Sequence, residues 1–178
     1  MINSIPNTKE IDKIIRNELI TQSELDGKFV RNALSEYGID LDKNRLDSVF
    51  ESIESTDCCI LFETQSGNNY DVSLSEEDDT VTYYKSFKIK IITYGDISDE
   101  ITPKLVARFR TERVRNNLYD EGIYIESISN PVQLDEFING VIWKRWDFEI
   151  DISVRFEVNQ ISTYSDFDAL NKININTI

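Results

Sequence analysis

Three carboxylates, Asp147, Glu149 and Asp151, alternate along the stretch WKRWDFEIDISVRFEV, residues 143–158. On a β-strand, alternate residues share a face about 7 Å apart, a spacing that could hold a cation or pair a general acid with a general base. A second acidic group, Glu76, Glu77, Asp78 and Asp79, is consecutive, without the alternating ligands and central glycine of a calcium loop. The chain contains no histidine, so the commonest general base near neutral pH and the commonest metal ligand are both missing. Its only cysteines, Cys58 and Cys59, are neighbours; adjacent side chains cannot readily bridge, and no second pair completes a zinc site. They read as reduced thiols of an intracellular protein. No glycine-rich phosphate loop occurs. The wet face of a strand accounts for the first acidic group and a solvated turn for the second. The expectation is a protein with no catalytic, cofactor-binding or metal-binding residues, and not an enzyme.

Arginine offers a different chemistry. In a helix over 99–120, Ile101, Leu105 and Phe109 fall on one side at about 100° per residue, Ala107, Val114 and Leu118 fall nearly opposite, and Arg108, Arg110, Arg113 and Arg115 lie between. Two apolar faces call for two partners: the sheet, and either the N-terminal helices or a second subunit. The guanidinium fork suits carboxylates and interfaces. Arg108, Arg110, Arg113, Val114 and Leu118 therefore form a candidate subunit interface, with intrachain pairs such as Arg108 with Glu112 as the alternative. Trp146 continues the inward series of the long strand and reads as core. Trp143 falls on the other face and joins the candidate interface.

These groups need elements to position them. Ile11, Ile14, Ile15 and Leu19 predict a helix over 8–21. Ser23 as N-cap, with Leu25, Phe29, Val30, Ala33, Leu34 and Tyr37 as a stripe closed by Gly38, predicts a second helix. Leu46, Val49, Phe50 and Ile53 predict a third, ending before Thr56. The period then changes to two. CCILFETQ and YDVSLS read as a hairpin turned at Gly67 and Asn68, with SEEDD as the next turn. From Tyr83 a strand places Phe87, Ile89 and Ile91 inward and Lys88 and Lys90 outward, until Gly95 stops it. The helix over 99–120 follows, capped by Ser98 or Asp99; then come IYIESIS as a short strand, NPVQLDEFING as a connection, and the strand of Trp146 to Val158. At about 3.3 Å per residue that last strand reaches roughly 40 Å, long for one small sheet.

This order predicts an α+β fold: a mostly antiparallel sheet with a long C-terminal strand, one main helix packed on the sheet and a helical N-terminal segment. The expected divisions are a helical segment over 1–56, the α+β core over 57–159 and an extended or flexible arm over 160–178. Nineteen Lys plus Arg against thirty-three Asp plus Glu leave a formal charge of −14, which repels nucleic-acid phosphates. No run approaches the roughly 20 apolar residues of a membrane span, and the N-terminus lacks a basic region followed by an apolar core.

The strand ending in TYG, the amphipathic helix and the run EGIYIESISNPVQLDEFINGVIWKRWDFEIDISVRF together resemble the tailed-bacteriophage neck and tail-terminator (tail-completion) family. The shared pattern is a YG, a helix, G-I-x-I, a V-x-x-L connection and a long alternating strand opened by aromatic and charged residues, over roughly residues 83–158. The resemblance implies a structural virion protein, assembled in the host cytoplasm as a homo-oligomeric ring, commonly a hexamer. Such a ring sits at the head-proximal end of the tail, stops tail polymerisation and joins tail to neck or connector. Its partners would be tail tube and neck proteins, with genomic DNA only as non-specific traffic through a channel, and no membrane and no cofactor. The acidic loop Glu76, Glu77, Asp78 and Asp79 would then face the lumen, dock on the tube, or remain a solvated turn. The alternative from another class is an acidic mimic of DNA that inhibits a nucleic-acid-binding host enzyme.

Overall fold

The computed structural model describes residues 8–32, 58–73, 80–138 and 140–159. Helix α1, Thr8–Ser23, is set by one apolar stripe: Ile11, Ile15 and Leu19, spaced four apart, are all buried. Glu24 then adopts a left-handed φ of 63°, with its N–H on the Ile20 carbonyl at 3.0 Å, and this ends the helix.

The second helix expected from Ser23 is replaced, as far as Asn32, by a short 3-10 turn, Gly27–Phe29, and a strand, β1, Val30–Asn32. Local polar groups redirect the chain. The Ser23 hydroxyl accepts from the Leu25 N–H at 3.2 Å, and the Asp26 carboxylate accepts from the Lys28 N–H at 3.0 Å, so both side chains support turns. Arg16 of α1 donates to the carbonyls of Val30 and Gly27 at 2.9 and 2.6 Å and pins the turn to the helix. The third expected helix, the acidic loop and the arm over 160–178 lie outside the described residues.

Three strands of fifteen residues dominate: β2, Cys59–Ser73, β3, Thr80–Tyr94, and β8, Arg145–Asn159. With β4, Ile123–Ile128, they form the order β1-β2-β3-β8-β4, in which only the β1 and β2 pair is parallel. The two-residue β5, Val132–Gln133, also pairs with β8. β3 and β8 match without a shift from Thr80 opposite Asn159 to Tyr94 opposite Arg145.

The expected hairpin at Gly67 and Asn68 is instead a register shift within one continuous strand, between Ser66 and Tyr70 of β2. Gly67 is needed there for closeness: a Cβ on it would stand 2.8 Å from the Ser86 backbone oxygen of β3.

One face of the sheet carries Ile60, Phe62, Phe87, Ile89, Ile91, Phe148, Ile150, Ile152 and Val154, all within the main core. The same cluster holds Ile11, Ile15 and Leu19 of α1, so the N-terminal helix is part of the layer that covers the sheet. The rest of that layer comes from the predicted helix over 99–120, which is broken in two: α2, Ser98–Phe109, and α3, Glu112–Asp120. Neither Ser98 nor Asp99 caps α2; its N-cap position is Ile97.

At the break, Thr111 takes extended angles and its hydroxyl donates to the Arg108 carbonyl at 2.6 Å. The break resets the helical phase, so that Val114 and Leu118 join Ile101, Leu105 and Phe109 in one core. Burying two such side chains contributes about 3–6 kcal/mol, which outweighs a disrupted helical hydrogen bond or two at about 1 kcal/mol each. Of the second expected face, Val114 and Leu118 thus join the first, whereas Ala107 stays exposed.

Candidate assembly surface

The carboxylates of β8 find cationic partners within the chain. Lys88 of β3 reaches Glu149 at 2.7 Å and Asp151 at 3.7 Å, and these partners, the Glu149 hydrogen bond first, raise the lysine pKa above its ordinary value. Asp147 receives two bonds from Arg145, Nε to Oδ1 at 2.7 Å and Nη2 to Oδ2 at 2.6 Å. A cation beside every carboxylate makes this a salt-bridged sheet face.

The candidate interface divides. Val114 and Leu118 are fully buried in the chain's own core and have no face left for a neighbour. Trp143 is buried too, packed with Cys59, Leu61 and Tyr94 in a small second cluster on the opposite face of the sheet. Arg108 donates to the Gln22 carbonyl and, at 2.6 Å, to Glu24, which Lys104 also contacts at 3.0 Å; hydrogen bonds from Arg108 and then Lys104 lower the Glu24 pKa. It therefore ties α2 to the end of α1, and its partner is Glu24, not Glu112. Arg110 reaches the side chain of Asn130 at 3.2 Å and the Ile128 carbonyl at 3.3 Å. Arg113 is exposed and, alone of the three, makes no ion pair or hydrogen bond among the described residues. Glu76, Glu77, Asp78 and Asp79 lie outside the described residues.

The stretch expected as a plain connection holds a further feature. β6, Glu136–Ile138, and β7, Val141–Trp143, form a separate two-stranded hairpin, turned at Gly140 with φ +81°. Glu136 is opposite Trp143 and Phe137 opposite Ile142, so the two pairs point to opposite faces. Trp143 and Ile138 pack inward on Tyr94, Leu61 and Cys59. Phe137 and Ile142 stand 72% and 70% exposed, with Val132, Leu134 and Val141 about half exposed beside them in sequence.

A polar latch fixes the hairpin to the sheet. Glu136 accepts from the Tyr94 hydroxyl and from Arg145 Nη1, each at 2.8 Å, and the Arg145 guanidinium lies 5.7 Å from the Tyr94 ring centre. Burial, reinforced by the Glu136 bond, raises the Tyr94 pKa beyond any physiological range, and the Asp147 bonds raise that of Arg145. The signal for this hairpin was in the sequence, since Asn139-Gly140 between apolar runs is a strong two-residue turn signature.

Among the described residues, two strand edges are also open. β1 pairs with β2 only at Ile60, Leu61 and Phe62, so among the described residues β2 has no outer partner over 63–73. On the other flank β4 reaches only as far as Val154 of β8, followed by one bond from the Arg155 N–H to the Gly122 carbonyl at 2.9 Å. The far ends of β2, β3 and β8 form a three-stranded ribbon beyond the flanking strands.

No curated protein matches this chain. The family model described as phage neck terminator protein matches residues 49–178, a span that includes β2 to β8, both helices α2 and α3, and the latched hairpin. The chain belongs to the phage neck terminator protein family and is a structural component of the phage tail and neck.

Proposed function

We propose that this protein assembles as a ring, hexameric as in the proteins it resembles, at the head-proximal end of the tail. There it ends tail polymerisation, joins tail tube to neck and leaves a channel for DNA, without enzymatic activity. The observation that carries the reading is the three-stranded ribbon, each flank of which has an edge that no described residue pairs. An exposed strand edge offers unpaired N–H and C=O groups. Two different edges on one molecule favour head-to-tail contacts, which close into a ring when the rotation permits. The length of β8 follows: one part supports β4 and β5, and the remainder belongs to the ring wall.

The formal charge of −14 suits a channel through which DNA must pass without adhering. The rival reading, an acidic DNA mimic, is disfavoured because Lys88 stands between Glu149 and Asp151 and interrupts any phosphate-like array. Size-exclusion chromatography with light scattering, followed by electron microscopy of the fractions with and without tail tubes, tests the proposal. Rings that cap tubes and halt their growth are expected; a monomer that binds a nuclease or polymerase would support the rival.

A further inference from the structure

We propose that Tyr119 and Tyr124 form an oxidative cross-linking site, at which a one-electron oxidant joins the two rings through a carbon–carbon bond. Both partners belong to one chain, so the site stands or falls independently of ring assembly.

The turn between α3 and β4 builds the pair. The Tyr119 carbonyl accepts from the Gly122 N–H at 2.9 Å, and Gly122 takes a φ of 81°, a left-handed value that suits glycine. The chain doubles back there, and Tyr124 on β4 returns beside Tyr119, the residue after the buried Leu118. Their ring centres lie 4.8 Å apart, with the planes at 81°. On its other side Tyr124 meets Tyr84 of β3, at 5.6 Å and 71°. Tyr124 is opposite Ser153 of β8, and Tyr84 is opposite Arg155. Both rings therefore stand on the sheet face away from the main core, and the small Ser153 leaves them room to meet over β8. Tyr84 limits the swing of Tyr124. Tyr119, 43% exposed, is the ring open to an oxidant and with room to turn.

Edge-to-face contact is ordinary aromatic packing, and phenylalanines would supply it equally well. The phenols add a reaction. Each gives one electron to the oxidant and its hydroxyl proton to water. Burial first, then the neighbouring Tyr84 phenol, raises the Tyr124 pKa above its ordinary value, so at neutral pH this proton is in place and leaves with the electron. The two phenoxyl radicals join at ring carbons ortho to oxygen, and the hydrogens on those carbons pass to the oxygens as the rings regain aromaticity. Two equivalents of oxidant are reduced, two protons enter the water, and the pair ends two hydrogens lighter. Rings already held in contact react as if at very high concentration, whereas two chains at −14 each repel, so the link forms within the chain. It closes a ring of residues 119–124 only, which removes little chain entropy, and the urea midpoint should barely move.

Brief illumination of the dilute full-length chain with ruthenium tris-bipyridyl and persulfate tests the site; the oxidising complex is a cation that an anionic protein attracts. The wild type is expected to gain dityrosine fluorescence, to keep the mobility of a single chain in a denaturing gel, and to lose the mass of two hydrogens. After cleavage at Glu121, which lies between the two tyrosines, the fragments carrying Tyr119 and Tyr124 should stay joined. Tyr119→Phe and Tyr124→Phe, each checked for fold by circular dichroism, should cut the fluorescence several-fold. Tyr83→Phe should leave it unchanged, because Tyr83 stacks on Phe156 at 5.2 Å, a ring without a hydroxyl. No dityrosine in the wild type, a link found only between chains, or one that joins Tyr124 to Tyr84 in place of Tyr119 would each overturn the proposal.

Discussion

Gly67 holds two strands at a separation that no other residue allows, because the atom its Cβ would meet is the Ser86 carbonyl oxygen at 2.8 Å and backbone cannot swing aside. Gly67→Ala is expected to cost about 1–3 kcal/mol of stability, read as a lower urea midpoint, even though glycine is ordinarily a poor strand residue. Asp12 of α1 makes the opposite case. Burial raises its pKa, against the lowering influence of Thr64 and Asn32 nearby. A carboxyl with a raised folded pKa stabilises the fold most when protonated, below the reference value of 3.8, and loses that contribution as pH climbs through the folded value. Asp12→Asn should therefore raise the melting temperature slightly at pH 7, and the gain should vanish below about pH 4. Cys58 follows the same sign: burial first, then the neighbouring Cys59 thiol, pushes its pKa from 9.0 up to about 12. Its contribution is intact below pH 9 and lost as pH rises towards 12, and the native thiol should resist iodoacetamide at pH 8.

At the scale of elements, Arg145 is the pivot of the hairpin. Arg145→Met keeps a stem against Tyr94 but leaves Glu136 and Asp147 without their cation, at a cost of about 1–2 kcal/mol after solvent screening is allowed for. Hydrogen exchange should then speed up over 136–143 while the β3–β8 ladder stays protected; uniform acceleration would show that the latch supports the whole sheet. Charge reversal separates the arginines similarly. Arg108→Glu sets two carboxylates against each other where Glu24 now binds and should lower stability, whereas Arg113→Glu, on an exposed side chain, should leave folding within about 0.5 kcal/mol.

The elements most legible in the sequence were the strands, because alternation such as Phe87, Ile89 and Ile91 against Lys88 and Lys90 is imposed by the two faces of a sheet. The break at Thr111 was hidden because apolar positions on either side of it each fit a helix, and only the phase between them changes; Thr111 followed by Glu112 was the one available sign of a new helix start. Leu25, Phe29 and Val30 fitted a helical stripe, yet pairing with Ile60 to Phe62 decided for a strand. For the candidate site, the helical and strand periods place Val114, Leu118 and Trp143 on outward faces that the fold buries, while nothing in the apolar character of Phe137 and Ile142 marks them as exposed, since an apolar residue is core by default.

For the whole molecule, a ring of anionic copies, as proposed, would carry a salt signature if its contacts are apolar. Screening shortens the range of repulsion from about 10 Å at 0.1 M to 3 Å at 1 M and leaves apolar burial in place, so assembly should strengthen as salt is added. Assembly that weakens with salt would point to ion pairs such as those of Arg113 as the main contacts. The unshifted pairing of β3 with β8, fifteen matched positions from Thr80 opposite Asn159 to Tyr94 opposite Arg145, carries a mechanical consequence. Tension applied along the strands loads that antiparallel ladder in shear, so its hydrogen bonds resist together and do not open one at a time. A subunit pulled at Thr80 of β3 against Arg145 of β8, at opposite ends of the ladder, should yield at a higher force than one pulled across the sheet, from β1 to β4. The joining role proposed above would use stiffness along one direction, and this sheet supplies it along its strands.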